Sequence, residues 1–271
     1  MQNLATAFPE KSEKERKKIA RAFYRNLVDT FIESSKMVSM GSKELHKRFS
    51  ADYSVINDLH AQGLKVQLHS GHFFNWEFAN HAFADKIKYP FVGVYMPIRN
   101  KMFNRLFYRL RSRFGTKLIA ANNFRNEFAA YRNAPYCLAL VGDQNPGSPE
   151  AAYWSEFMGK KAPFARGPEQ GAMKNKTAVV FCEFFPLKRG YYKGELSLIT
   201  LDASELEEGE LTRRYISFIE AAIRKRPANY LWSHRRWKHQ YRETYEPLLL
   251  NKKLQRKTLV ATHQPPIAIS Q

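Results

Sequence analysis

Two almost continuously apolar runs, residues 136–141 and 178–185, do most to limit what this chain can fold into. A strand that is wet on one face alternates apolar and polar residues; these do not, so both of their faces must be covered. Residues 64–68, 90–95, 117–120 and 195–200 read as further strands. Between them lie stretches with helical spacing, at 42–49, 53–62, 78–83, 100–113, 122–131, 167–174 and 211–225. Strands that alternate with helices predict an α/β fold with a mixed, largely buried sheet flanked by helices. The expectation for 271 residues is one domain over 1–245, opened by a helical segment over 1–63, with a polar, poorly ordered tail over 246–271.

The helical opening has its own start signal. Ser12 followed by Glu15 is a capping box, and Ile19, Phe23, Leu27 and Phe31 recur every fourth residue, with Val28 and Ile32 beside them. That spacing predicts a long amphipathic helix with a core-facing apolar side and a basic outer side. Lysine and arginine outnumber aspartate and glutamate by 44 to 25, a net charge of +19 that calls for an anionic partner: nucleic acid, an acidic lipid surface or an acidic protein. The two cysteines, Cys137 and Cys182, sit inside strand-like runs, which excludes a disulfide framework and a cysteine zinc site and favours a reducing compartment. No apolar run reaches the roughly 20 residues that span a bilayer.

The stretch richest in chemistry is His69-Ser70-Gly71-His72-Phe73-Phe74-Asn75-Trp76-Glu77, a turn between the strand at 64–68 and the following helix. Gly71 supplies permissive backbone for the turn. On one helix, positions five apart diverge by about 140°, so His72 and Glu77 pair only if the histidine lies in the loop and the carboxylate in the first helical turn. There Glu77 would accept from one ring nitrogen and leave the other free to take a proton. Asp143 and Gln144 end the strand at 136–141, so two strand ends can converge, at the edge where α/β sheets build their sites. His69, His72, Glu77 and His81 are all able to ligate a metal, yet they show none of the usual zinc spacings, and no metal is expected.

Two basic clusters leave more than one reading open. Around 99–117, Arg105 and Arg113 read as a solvated helix face, whereas Arg109 and Arg111 near the helix end can hold a phosphate, a carboxylate or a developing oxyanion. In Trp232-Ser233-His234-Arg235-Arg236-Trp237-Lys238, aromatics interleaved with base suit single-stranded nucleic acid, phosphate groups at a membrane interface, or simple packing of the tryptophans.

Taken together, these residues resemble the late acyltransferases of bacterial lipid A biosynthesis, within the lysophospholipid acyltransferase superfamily. The resemblance rests on an Asn-Leu-x3-Phe-Pro-Glu opening at Asn3–Glu10, the His-x4-Glu motif at His72 and Glu77, Arg109-x-Arg111, Asp143-Gln144 and the Trp-x-His-Arg-Arg-Trp-Lys stretch at 232–238, all in the family's order. It implies a glycerol-3-phosphate acyltransferase-like fold and an O-acyltransferase without cofactor. The donor would be an acyl carrier protein or CoA thioester, and the acceptor a hydroxyl of a lipid A precursor. It further implies His72 as general base, Glu77 as the group that orients it, and Arg109 as the oxyanion donor. Arg111, Asp143 and Gln144 would bind substrate, and Trp232, His234, Arg235 and Arg236 would contact phosphate or membrane. The implied location is the anionic cytoplasmic face of the bacterial inner membrane.

Two departures qualify that picture. Relatives usually carry a hydrophobic segment before the opening motif, so the expectation here is a shortened chain or a peripheral membrane association. Met96 stands where many relatives have arginine. The same superfamily includes enzymes for lysophospholipid, amino-acid lipid and phosphatidylinositol mannoside acceptors. A basic nucleic-acid-binding protein is the alternative from another class, but no nucleic acid is expected, since that reading leaves the His-x4-Glu motif without a role.

Overall fold

The computed structural model describes residues 1–250. Its helices are α1 (Gln2–Ala7), α2 (Glu13–Lys36), α3 (Ser42–Arg48), α4 (Ser54–Ala61), α5 (Trp76–Lys86), α6 (Lys101–Ser112), α7 (Phe124–Phe128), α8 (Gly167–Lys174) and α9 (Glu210–Lys225). The strands are β1 (Phe49–Ala51), β2 (Val66–Ser70), β3 (Phe91–Tyr95), β4 (Lys117–Ala120), β5 (Cys137–Val141), β6 (Tyr153–Phe157), β7 (Lys160–Phe164), β8 (Ala178–Lys188) and β9 (Tyr191–Thr200). Seven of them form one sheet in the order β1-β9-β8-β2-β5-β3-β4, and β6 and β7 form a separate hairpin. Every pairing in the large sheet is parallel except β8 with β9, so the sheet is mixed, as the alternation of strands with helices predicts.

Strand β2 shows how the sheet is covered. All five of its residues are buried, including Gln67, His69 and Ser70. Leu68 and Ser70 point to the side occupied by α5. Gln67 and His69 point to the other, where the Gln67 amide donates to Pro168 O (3.0 Å) and accepts from Ala172 N (3.0 Å) at α8. His69 stacks on Phe181 and meets the edge of Tyr215 from α9. A parallel strand buried on both faces can carry polar side chains only where each finds a partner, and here each does.

Three expectations need correction. Helix α2 begins at the predicted capping box, but its apolar residues do not all face inward. Phe23 is buried, whereas Tyr24, Val28, Phe31 and Ile32 are 62%, 54%, 67% and 46% exposed. Residues four apart drift by about 40° per step, so by Phe31 the series has turned about 120° away from Ile19. Asp29, Thr30 and Glu33 take the inward positions. Arg189 donates to both Asp29 oxygens (3.0 Å), and Glu33 Oε2 accepts from Tyr192 OH (2.6 Å) and Asn75 Nδ2 (2.9 Å).

The second correction concerns β1 and the β6–β7 hairpin, neither of which the apolar pattern reveals. The hairpin closes through Met158 (φ 50°) and Gly159 (φ 81°), both left-handed as a tight two-residue turn requires. The third concerns the tail. Residues 246–250 are docked: Leu250 is buried and donates its N–H to Trp154 O (2.8 Å), beside Tyr245, whose ring stacks on Trp154. The remainder of the expected tail, 251–271, lies outside the described residues. Among the described residues no helix is long and apolar enough to cross a membrane.

Candidate active site

Parallel pairing of β2 with β5 matches Ser70 with Val141. Two residues further along each chain stand His72 and Asp143, so the register itself brings them opposite each other at the carboxyl end of the sheet. The two strand ends converge as the sequence suggests. Asp143 Oδ1 lies 2.7 Å from His72 Nδ1, and Oδ2 accepts the His72 backbone N–H at 3.1 Å. Glycine at position 71 is needed for space: a Cβ there would fall 2.8 Å from both Ile219 Cδ1 and Phe73 Cζ.

The carboxylate that orients His72 is thus Asp143, a correction to the pairing with Glu77. Glu77 does fall in the first turn of α5, whose start is fixed by Asn75; the Asn75 side-chain oxygen accepts from Glu77 N (3.0 Å) and Phe78 N (3.3 Å). From there its carboxylate turns to Arg111, which donates from Nε to both oxygens (3.0 and 3.2 Å) and from Nη2 to Oε1 (2.6 Å). The Trp76 indole adds a third donor at 3.1 Å. A guanidinium fork matches a carboxylate better than one imidazole N–H does, and helix α6 delivers that fork.

Asp143 is fully buried. Burial alone would raise its carboxyl pKa, but the adjacent His72, through charge and both hydrogen bonds, outweighs this and holds it below the usual carboxylate value. A third charge stands behind it. Arg236 is also buried, donating to Asn145 Oδ1 (3.0 Å) and Pro163 O (2.8 Å) with its guanidinium over the Phe164 ring, while its Nε has no partner among the described residues. Burial lowers the Arg236 pKa, and Tyr230 and Asp143 oppose that shift.

The stretch at 232–238 therefore faces largely inward. Trp232 packs edge-on against Phe8 and Tyr230 and donates to Pro227 O (2.6 Å). His234 Nε2 accepts from Asn145 N (3.1 Å); burial, with Arg236 and His72 nearby, lowers its pKa. Asn3 donates to the carbonyls of Trp232 (2.8 Å) and His234 (2.6 Å). Trp232 and Arg236 are core residues, which removes them as phosphate or membrane contacts, and Arg236 with His234 holds the loop after Asp143 through Asn145; Arg235 remains exposed.

His72, Trp76, Glu77 and Arg111 stand on the wall of a cavity of about 440 Å³. The rest of its lining is mostly apolar and includes Leu68, Phe83, Phe91, Val94 and Phe184. Arg109, expected at the same edge, is exposed on α6 and takes no part in this lining, because it sits two residues, about 200°, around the helix from Arg111. Gln144 is half-buried and also outside the lining. His69 accepts from Gln67 (2.7 Å), and burial lowers its pKa to about 4. His81 is buried with its ring nitrogens 2.7 Å from Glu77 O and 2.8 Å from Leu110 O. Among the described residues no three His, Cys, Asp or Glu side chains gather into a metal-sized cluster. Cys137 and Cys182 are buried free thiols whose pKa burial raises.

No curated protein matches this chain. The family model for bacterial lipid A biosynthesis acyltransferases matches residues 1–239, a span that holds both strand ends, the cavity and the clamp behind Asp143, and on that match the chain belongs to the bacterial lipid A biosynthesis acyltransferase family and is an acyltransferase.

Proposed function

We propose that this acyltransferase moves a fatty acyl chain from an acyl carrier protein or CoA thioester to a hydroxyl of a lipid A precursor at the anionic cytoplasmic face of the inner membrane. The observation that carries the proposal is His72, backed by the buried Asp143, on the wall of a largely apolar cavity. With Nδ1 directed at Asp143, Nε2 is the nitrogen available to substrate. It takes the proton from the acceptor hydroxyl as the oxygen attacks the thioester carbonyl, and Asp143 stabilises the imidazolium that results. Collapse of the tetrahedral intermediate breaks the C–S bond, and the departing thiolate receives that proton from Nε2. No covalent acyl-enzyme is required.

Glu77 acts through Arg111 in this scheme. The carboxylate engages Nε and Nη2, which leaves Nη1 outside the pair and able to meet the oxyanion or a substrate phosphate. The apolar cavity wall suits an acyl chain, and the net charge of +19 suits an acidic carrier and a phosphorylated acceptor.

The test is acyl transfer in detergent micelles with carrier-protein and CoA donors crossed against a lipid A precursor and a lysophospholipid, products being read by mass spectrometry. Transfer to the lipid A precursor that is abolished in His72→Ala is expected. Transfer only to the lysophospholipid would overturn the acceptor, and undiminished transfer by His72→Ala would overturn the base.

A further inference from the structure

Helix α6 is amphipathic with its apolar side outermost. None of its 12 residues is buried. Met102, Phe103 and Leu106 are 71%, 48% and 52% exposed, and Met96 and Ile98 just before the helix are 72% and 40% exposed. At about 100° per residue, Met102, Phe103, Leu106 and Leu110 share one side, which Arg109 and Arg105 flank. The helix contains no acidic residue, and among the described residues Lys101, Arg105 and Arg109 enter no ion pair.

The carboxyl end of α2 is tied to the carboxyl end of α6. Arg113, the residue after α6, donates from Nη1 to Met37 O (2.6 Å) and Met40 O (2.5 Å) at the end of α2. Meanwhile the last turn of α6 is fixed to α5 by the Arg111–Glu77 pair, by Asn80 Nδ2 donating to Arg111 O (2.9 Å), and by the His81 ring against Leu110 O. Met96 and Arg111 both line the His72 cavity. The apolar surface therefore begins at the cavity and is held rigidly to it.

We infer that α6, together with Val28, Phe31 and Ile32 of α2, is the surface that seats the enzyme on an anionic bilayer. The inference rests on the lipid-acceptor reading above and adds where the lipid surface meets the protein. An apolar helix side flanked by arginine and lysine, with no acid, is the pattern of a helix lying in the headgroup boundary. Exposed apolar residues gathered on one helix side, rather than scattered singly, mark an interaction surface, and the bare cations at its border select an anionic surface over a second, equally basic copy of the chain. Docked in this way, the enzyme admits a lipid acceptor from the bilayer past Met96 to His72 without passage through water.

The test is co-sedimentation of the 271-residue chain with vesicles of phosphatidylcholine alone or mixed with phosphatidylglycerol. The variants are Phe103→Glu/Leu106→Glu on α6, Phe31→Glu/Val28→Glu on α2, Arg105→Gln/Arg109→Gln at the border, and Leu187→Glu as a control on another exposed apolar residue. The expected result is at least a tenfold loss of binding in either apolar pair and about a fivefold loss per arginine on anionic vesicles only, with no change in the control. Melting temperatures establish that the variants fold. Micellar acyl transfer separates the two readings: variants that keep micellar turnover and lose vesicle binding support the docking surface. Vesicle binding without transfer in the wild type would sink the lipid A reading and leave the docking surface standing. Wild-type binding that the apolar pairs do not weaken would overturn the inference. So would a wild-type dimer, seen by sedimentation velocity, that these pairs convert to monomer.

Discussion

Replacing Asp143 with asparagine distinguishes the two carboxylates most sharply. The carboxylate makes two contacts with His72, at 2.7 Å to Nδ1 and 3.1 Å to the backbone N–H. An amide can accept only one of them and must turn its NH2 toward the other donor. Two costs follow. The bond that strengthens as His72 gains its proton is charge-assisted and worth about 1.5–3 kcal/mol. Its loss from the transition state is a fall in kcat of roughly 10- to 150-fold at 1.36 kcal/mol per decade. The buried donor facing a donor costs about 1–3 kcal/mol of folding stability, which a denaturation curve reads separately. The assay is micellar acyl transfer under saturating donor, with Glu77→Gln run beside it. Glu77→Gln leaves His72 and its partner in place and should cost less in kcat, with the larger effect on KM if Arg111 holds a substrate phosphate. If Asp143→Asn keeps kcat within about twofold of wild type while Glu77→Gln loses more than about 100-fold, the assignment of roles argued here is wrong.

The remaining expectations concern neighbouring groups. Arg111→Ala should reduce kcat/KM by at least about tenfold and Arg109→Ala should leave micellar turnover unchanged; equal losses in the two would place Arg109 at the reacting atoms. Arg236→Lys keeps the charge but not the fork to Asn145 and Pro163, and should cost about 1–3 kcal/mol in chemical denaturation; an unchanged midpoint would refute the clamp. His69 has a folded pKa of about 4, below its unfolded value. Its contribution to stability is therefore complete above the unfolded pKa near 6.5 and is lost as pH falls toward the folded value. Between about pH 7 and pH 4.5 that loss is about 2–3 kcal/mol, and His69→Gln should lose correspondingly less over the same interval. Identical pH dependence in both proteins would show that His69 does not titrate this way.

The strands were legible because a parallel strand covered on both sides must be apolar along its whole length, and 136–141 and 178–185 satisfy that. The meeting of His72 with Asp143 was legible only as convergence of two strand ends, because the register that aligns them is a long-range property of β2 and β5. Local spacing pointed to Glu77 instead, and nothing near Glu77 in sequence announces that Arg111 will claim it from 34 residues away. The facing of α2 was hidden for a similar reason: the partners that draw Asp29 and Glu33 inward, Arg189 and Tyr192, lie more than 150 residues downstream. For α6 the periodicity specifies a helix, but an apolar stripe carries the same pattern whether a protein core or a hydrocarbon layer covers it. The aromatic and basic stretch at 232–238 had three open readings, and only the burial of Trp232 and Arg236 chose among them.

The ties from Asn3 to residues 232 and 234, and from His234 and Arg236 to Asn145, bear on when the enzyme becomes active during its own synthesis. His72, Asp143 and all the strands of the sheet are synthesised before residue 236. Until the last of these clamping residues emerges, the loop behind Asp143 lacks its backing and the buried carboxylate its compensating cation. A nascent chain can thus contain every strand of the sheet while the loop after Asp143 still waits for residues 234–236, and any acyl transfer that depends on the His72–Asp143 pair waits with it.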